Sequence, residues 1–282
     1  MWLALGINGG LVAATTLGGL LTGSLALLAD AGHLISDVGA IGLGLLASGL
    51  ATRPPGPRLT FGYQRTEVLA ALVNGIALVV IAVLVSVAAV DRLGDPPDVD
   101  GIGVLALGLA GLAGNVAATW VLARGEREDI NLEGVLRHSA ADALGSLGVI
   151  VSGAVLLTTG WEAIDPLASL AIAALILASS VRLIVEPFDV LMEAAPAGMD
   201  VDRIGGEMGR IKGVREVHEL HVWTVTAGFD ALAAHVVVAA GADRDLVRRR
   251  LEVMLRERHG IEHTTLQMEE EAPPELLDVQ GS

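Results

Sequence analysis

Six stretches of mostly apolar residues occupy the first two-thirds of the chain, near residues 1–22, 25–50, 67–91, 101–123, 134–158 and 164–185. Each is long enough to cross a hydrocarbon core, which needs roughly 20 residues of helix. Inside a bilayer every backbone polar group must find its partner within the protein, so uninterrupted runs of this length fold as helices. The breaks between them are turn and stop signals: Leu21-Thr22-Gly23-Ser24, then Arg53-Pro54-Pro55-Gly56-Pro57-Arg58, then Gly94-Asp95-Pro96-Pro97-Asp98, a charged stretch from Arg124 to Asp129, and Thr159-Gly160-Trp161-Glu162. The expectation is a membrane all-α domain of six transmembrane helices over residues 1–185. The 35 glycines and only 3% aromatic residues agree, because small residues let membrane helices approach closely. With no basic segment ahead of it, the first run reads as structure rather than a cleaved signal.

Loop charge orients the bundle. Arg53, Arg58 and Arg65 follow the second run, Arg124 and Arg127 follow the fourth, and Arg182 closes the sixth; the turns after the first and fifth runs hold no Lys or Arg. Positive residues stay inside, so both termini are expected in the cytoplasm. After residue 186 the pattern changes. Asp200 to Lys212 and Asp243 to His259 read as amphipathic helices, the second with Leu246, Val247, Leu251, Met254 and Leu255 on one face. Val214 to Thr226, Phe229 to Ala240 and Ile261 to Met268 read as strands. The order helix–strand–strand–helix–strand predicts a small cytoplasmic α+β domain, two helices on a three-stranded sheet, over 186–270. Residues 271–282 form an acidic, Pro-interrupted tail, read as flexible. The net charge of −15 excludes a strongly basic nucleic-acid binder, and the lack of cysteine excludes disulfides and thiolate metal ligands.

Ionisable residues inside the apolar runs are few. The second run contains Asp30-Ala31-Gly32-His33-Leu34-Ile35-Ser36-Asp37, and the fifth contains His138-Ser139-Ala140-Ala141-Asp142. Both carry His-x-x-x-Asp, a spacing that puts imidazole and carboxylate on one helix face. If the two helices pack side by side, His33, Asp37, His138 and Asp142 converge as N and O donors of the kind tetrahedral zinc prefers. Two carboxylates and one divalent ion sum to zero charge. The empty site favours proton uptake, and metal binding releases protons, so one set of residues supplies metal–proton exchange. A single intramembrane pair has a plainer reading as a helix bridge. Two identical pairs argue against it, since each ionisable group costs on the order of 3 kcal/mol at mid-membrane. Asp30 sits at the rim of the same face, and Asn8, Asn74 and Asn115 read as hydrogen bonders between helices.

The run from Ser24 to Asp37, then Phe61-Gly62-Tyr63-Gln64-Arg65-Thr66-Glu67, then His138 to Asp142, resembles the cation diffusion facilitator family. Val217-His218-Glu219-Leu220-His221-Val222-Trp223 and the segment Ile261 to Glu269 are similar to its zinc/cadmium/cobalt efflux branch. The resemblance runs through nearly the whole chain. It implies a homodimeric, proton-coupled exporter working by alternating access, with a cytoplasmic domain of metallochaperone-like fold. It also implies His33, Asp37, His138 and Asp142 as transport-site ligands, and His218, His235 and Glu269 as a cytoplasmic metal site with His263 a further possibility. Zn²⁺ would be both substrate and regulatory ligand, with no organic cofactor. Two departures stand out: residues Arg58 to Glu67 hold no His, and there is no His-rich loop after the fourth run.

On a regular strand, His218 and His221 three apart would point to opposite faces. Strand histidines are often only hydrogen-bonded, which is the plain reading of this group. His259, beside Gly260, reads as a charge complement to a helix C-terminus. Among rival functions, an intramembrane metal hydrolase needs an open coordination position and a general base, but no His-Glu-x-x-His is present. A manganese or iron exporter of the same architecture is the nearer alternative; imidazole ligands favour zinc, cadmium or cobalt. Secondary transport rather than enzymatic activity is therefore expected. Heavy Ala/Gly use, with Arg in place of Lys, points to a prokaryotic plasma membrane.

Overall fold

The structure is a computed structural model that describes residues 2–123 and 132–270; the side chains of 2–5, 7–8, 118, 121–123 and 132–139 lie outside that description. So do the tail expected over 271–282, the loop bearing Arg124 and Arg127, and the side chain of Asn8. Six long helices come first: α1 (Trp2–Thr22), α2 (Leu25–Ala51), α3 (Thr66–Gly94), α4 (Gly101–Ala123), α5 (Leu132–Thr159) and α6 (Ile164–Leu191). The expected runs match them to within a few residues. The exception is the end of α6, which continues past 185 through Pro187. By length and apolar composition α2, α3, α6 and the described part of α5, Ala140–Thr159, can each cross a bilayer. The described apolar stretches of the other two, Gly9–Thr22 and Gly101–Ala117, are shorter.

The chain divides into two compact units, Met1–Gly49 with Leu69–Val185, and Leu50–Val68 with Glu186–Ser282. The first is built inside out relative to a water-soluble bundle. Its buried positions include Ser24, Asp30, Ser36, Asn74, Asn115, Ser146, Ser152, Asp165 and Ser169, together with many alanines, while Leu20, Leu46, Leu84, Val87, Ile102 and Val181 are exposed. Large apolar side chains on the outside and small or polar ones within are what a lipid solvent selects. Glycine sets the helix spacing at two contacts. A Cβ on Gly153 of α5 would lie 2.6 Å from the Leu105 backbone nitrogen of α4, and one on Gly75 of α3 would lie 2.9 Å from the Leu183 carbonyl oxygen of α6. As expected, Ser36 donates to Asn74 Oδ1 at 2.9 Å, joining α2 to α3, and Asn115 donates to Ser146 Oγ at 3.3 Å, joining α4 to α5.

The second unit adds α7 (Val201–Gly209), β1 (Val214–Thr226), β2 (Phe229–Val238), α8 (Arg244–His259) and β3 (His263–Glu270). Asp200 and Asp243 cap the two helices through side-chain bonds to Arg203 N and Leu246 N, and Gly260 ends α8 in the left-handed conformation. The sheet order is β1-β2-β3, with β1–β2 antiparallel and β2–β3 parallel. The parallel pair requires a crossover, and α8 supplies it. One sheet face packs on both helices through Ile204, Met208, Leu232, Val236, Val247, Leu251 and Leu255. Leu246 does not join them: it lies about 100° around the helix from Val247 and stays exposed. Among the described residues, α7 and α8 pack on that sheet face and not on the other. On the opposite face lie Ala233, His235 and Val237, with Thr265, Gln267 and Glu269 beside them in register.

Candidate metal centres

The first centre lies where α2 meets α5. His33 Nε2 is 3.1 Å from Asp142 Oδ1 and 3.8 Å from Asp37 Oδ2, and all three side chains are half-buried. The i,i+4 geometry of α2 aligns His33 with Asp37, and packing between helices adds Asp142, 109 residues away in sequence. One donor atom from each residue lies within 4.8 Å of the others. Donors of a tetrahedral zinc ion, bound at about 2.0–2.2 Å, are spaced about 3.3–3.6 Å apart. The two His33 distances bracket that spacing, so a small divalent ion fits with slight adjustment. His138 belongs to α5, one helical turn before Asp142, but its side chain lies outside the described residues. Asp30 is buried one turn before His33. Its carboxylate occupies space left by Gly145, where an added Cβ would stand 3.3 Å from Oδ1.

The second centre lies on the sheet face opposite α7 and α8. The pairing His218↔His235 across β1–β2 brings the two imidazoles to a ring separation of 5.2 Å. Glu269 of β3 completes the group: Oε2 is 3.3 Å from His218 Nε2 and Oε1 is 2.8 Å from His235 Nδ1. The Gln267 amide donates to Glu269 Oε1 at 2.8 Å. That bond, followed by those from the His218 and His235 rings, holds Glu269 below the usual carboxylate range against the opposing effect of desolvation. Glu269 is therefore ionised and ready to ligate at neutral pH.

The other histidines fall elsewhere. His218 and His221 do not point to opposite faces. A bulge interrupts β1 between them, so His218 pairs with His235 and His221 with Ala233, two positions on one face. The extra residue is Glu219, held at φ 49°. His221 lines a cavity with Arg58, Phe61, Arg65 and Trp223. His263 packs its ring against Phe61 and Phe229 at 6.0 and 5.4 Å. His259 reaches Glu207 of α7 at 3.2 Å, beyond the helix-end role expected of it.

Two polar residues escaped the sequence reading. Asp165, in the first turn of α6 and fully buried, accepts bonds from Ser24 Oγ, from Leu25 N at 2.7 Å and from Ala26 N at 3.4 Å. A carboxylate beside Pro166 at the start of an apolar run was the available signal. Glu219 was the other, and its signal was the spacing of Val217, Leu220 and Val222. Strict alternation would place the second of these at 219, so the skipped position marks an inserted residue.

Together these features define a multi-pass membrane protein with an imidazole–carboxylate cluster inside its helix bundle and a second one on a small α+β domain. The family model for the cation efflux transmembrane domain matches residues 1–192, and that for the cation efflux protein, cytoplasmic domain, matches residues 196–271. The chain belongs to the cation efflux family. It is 39% identical to the zinc transporter ZitB of Shigella flexneri, with 94% of this chain and 85% of that protein covered. It is 37% identical to a cadmium, cobalt and zinc/H(+)-K(+) antiporter of Bacillus velezensis, covering 90% and 82%. It is 32% identical to the metal cation efflux system protein CzcD of Cupriavidus metallidurans, covering 98% and 87%. Among solved structures, the metal-bound C-terminal domain of CzcD covers 25% of this chain and 99% of its own at 30% identity, with a TM-score of 0.25.

Proposed function

We propose that this cation efflux transporter exports zinc, and with it cadmium and cobalt, from a prokaryotic cytoplasm in exchange for protons. The observation that carries the reading is the convergence of His33, Asp37 and Asp142 inside the bundle, within 4.8 Å of one another. His138, carried by α5, is assigned as the fourth ligand. The two carboxylates neutralise a divalent ion in a low-dielectric setting, and loading displaces the protons that occupy the empty site. Alternating access then presents this one site to either side of the membrane. The names of the relatives, transporters of zinc and antiporters of cadmium, cobalt and zinc, support the substrate class and the coupling. We assign residues 1–185 to the transmembrane domain and 186–270 to a cytoplasmic regulatory and dimerisation domain, with both termini in the cytoplasm. The family model for residues 196–271 describes a cytoplasmic domain, in keeping with that orientation. His218, His235 and Glu269 are the regulatory metal site. Metal bound there favours one arrangement of the homodimer and so biases transport.

The test is zinc uptake into liposomes holding the purified protein and a trapped pH dye. Zinc entry should drive protons outward, and Asp142→Ala, Asp37→Ala and His138→Ala should each reduce flux to the protein-free background. Zinc flux that survives in these variants would reduce the intramembrane cluster to a structural bridge. In the same assay His218→Ala should keep transport but change its dependence on zinc concentration.

A further inference from the structure

The donor pattern around His235 is asymmetric. Its Nδ1 faces Glu269 Oε1 at 2.8 Å, on the side of the candidate metal ligands, while its Nε2 faces Glu219 Oε2 at 3.4 Å on the opposite side of the ring. A neutral imidazole has one lone pair and one N–H, and a metal takes the lone pair. Whichever group holds the N–H therefore decides which nitrogen is free to bind.

Glu219 is where it is only because β1 is irregular. It is the extra residue of the bulge between His218 and His221 and adopts φ 49°, one of two non-glycine residues with positive φ among the described residues. Residues with a Cβ adopt this region rarely, and such positions concentrate at functional sites. Its side chain is 66% exposed, so no burial of its own explains the conformation.

We propose that Glu219 is the positioning residue of His235: when a divalent cation shared with His218 and Glu269 displaces the Nδ1 proton that His235 gives to Glu269, the Glu219 carboxylate accepts the remaining N–H at Nε2 and keeps the Nδ1 lone pair directed at the cation. This rests on reading those three residues as a metal site. Carboxylate partners of this kind orient ligating histidines and raise their basicity, and losing one lowers metal affinity by about 10–100-fold. The bulge does two things here. It moves His221 onto the face of His218, and it aims Glu219 across at His235.

The test separates positioning from a structural role by using backbone strain. Full-length protein in detergent is titrated with zinc against a fluorescent chelator, and the cytoplasmic site is the binding class that His218→Ala removes. Glu219→Gly deletes the carboxylate but suits φ 49°, so the metal-free protein should melt at or above the wild-type temperature while the site weakens by about 10–100-fold. Glu219→Gln keeps a neutral acceptor and should fall between the two in affinity. In nitrogen-15 histidine spectra of the zinc-loaded wild type, His235 should carry its proton on Nε2. Zinc affinity unchanged in Glu219→Gly, or a proton on Nδ1, overturns the assignment of Glu219 alone. If the wild type shows no binding class that depends on His218, the metal-site reading itself fails.

Discussion

Asp165 belongs to α6 by sequence but acts on α2, where it receives the Ser24 hydroxyl and the first free backbone N–H groups of that helix. A buried helix start without such partners would leave donors unsatisfied in a medium that cannot hydrate them. Glu207 shows the same principle in the cytoplasmic domain, where its side chain is half-buried between Arg203 and His259. Bonds from Arg203 first, and then from His259, hold its pKa below the ordinary value of 4.5. A carboxyl group whose pKa is depressed by folding contributes stability above its unfolded pKa and loses it as pH falls through the folded one. Glu207→Gln should therefore lower the melting temperature of the cytoplasmic domain near neutral pH. The gap from wild type should close below 4.5, and calorimetry across that range checks the sign. His33, Asp37 and Asp142, which the structure brings together, were legible because carboxylate and imidazole stand out against an apolar run; the side chain of His138 lies outside the described residues. Asp165 and Glu219 were not legible: one acts on a helix more than a hundred residues away, and the other needs a bulge to reach its partner.

At the level of elements, hydrophobic runs bounded by Gly and Pro located all six helices of the bundle, since long apolar helices announce themselves by length. What they did not announce was pairing. The proximity of α4 and α5 depends on Gly153 standing against the Leu105 backbone, where a side chain has no room and backbone cannot yield cheaply. Gly153→Ala should destabilise the bundle by on the order of 1–3 kcal/mol, while the same change at Gly39, where nothing lies within 4 Å, should leave it unaltered. Thermal unfolding in detergent followed by circular dichroism reads the difference. The observed strands lie within two residues of the expected ranges, and the β1 bulge is the departure from them. Continuous alternation through β1 would turn His221 away from His218, and the bulge brings the two onto one face.

On the scale of the whole molecule, two imidazole–carboxylate centres sit in two different media. Membrane helices build one from helical spacing and the other is built from strand register on an open sheet face. Zinc bound to the cytoplasmic centre stabilises whatever fold presents it, by about 2.7 kcal/mol at a hundredfold excess over the dissociation constant. Zinc should thus raise the melting temperature of the cytoplasmic domain, a chelator should reverse the shift, and His218→Ala should abolish it. Differential scanning calorimetry of the full-length protein tests all three. Hydropathy and helical spacing were enough to locate six helices ahead of a small α+β domain and to single out His33, Asp37 and Asp142, whose donor atoms lie within 4.8 Å of one another. These are properties of local chain and solvent, and one sequence carries them in full. Distances between helices, the cap that Asp165 places on α2, and the face on which His221 and Glu219 emerge depend on contacts between segments far apart in the chain. Packing alone sets those, because each is the joint product of two surfaces that no single stretch of sequence contains.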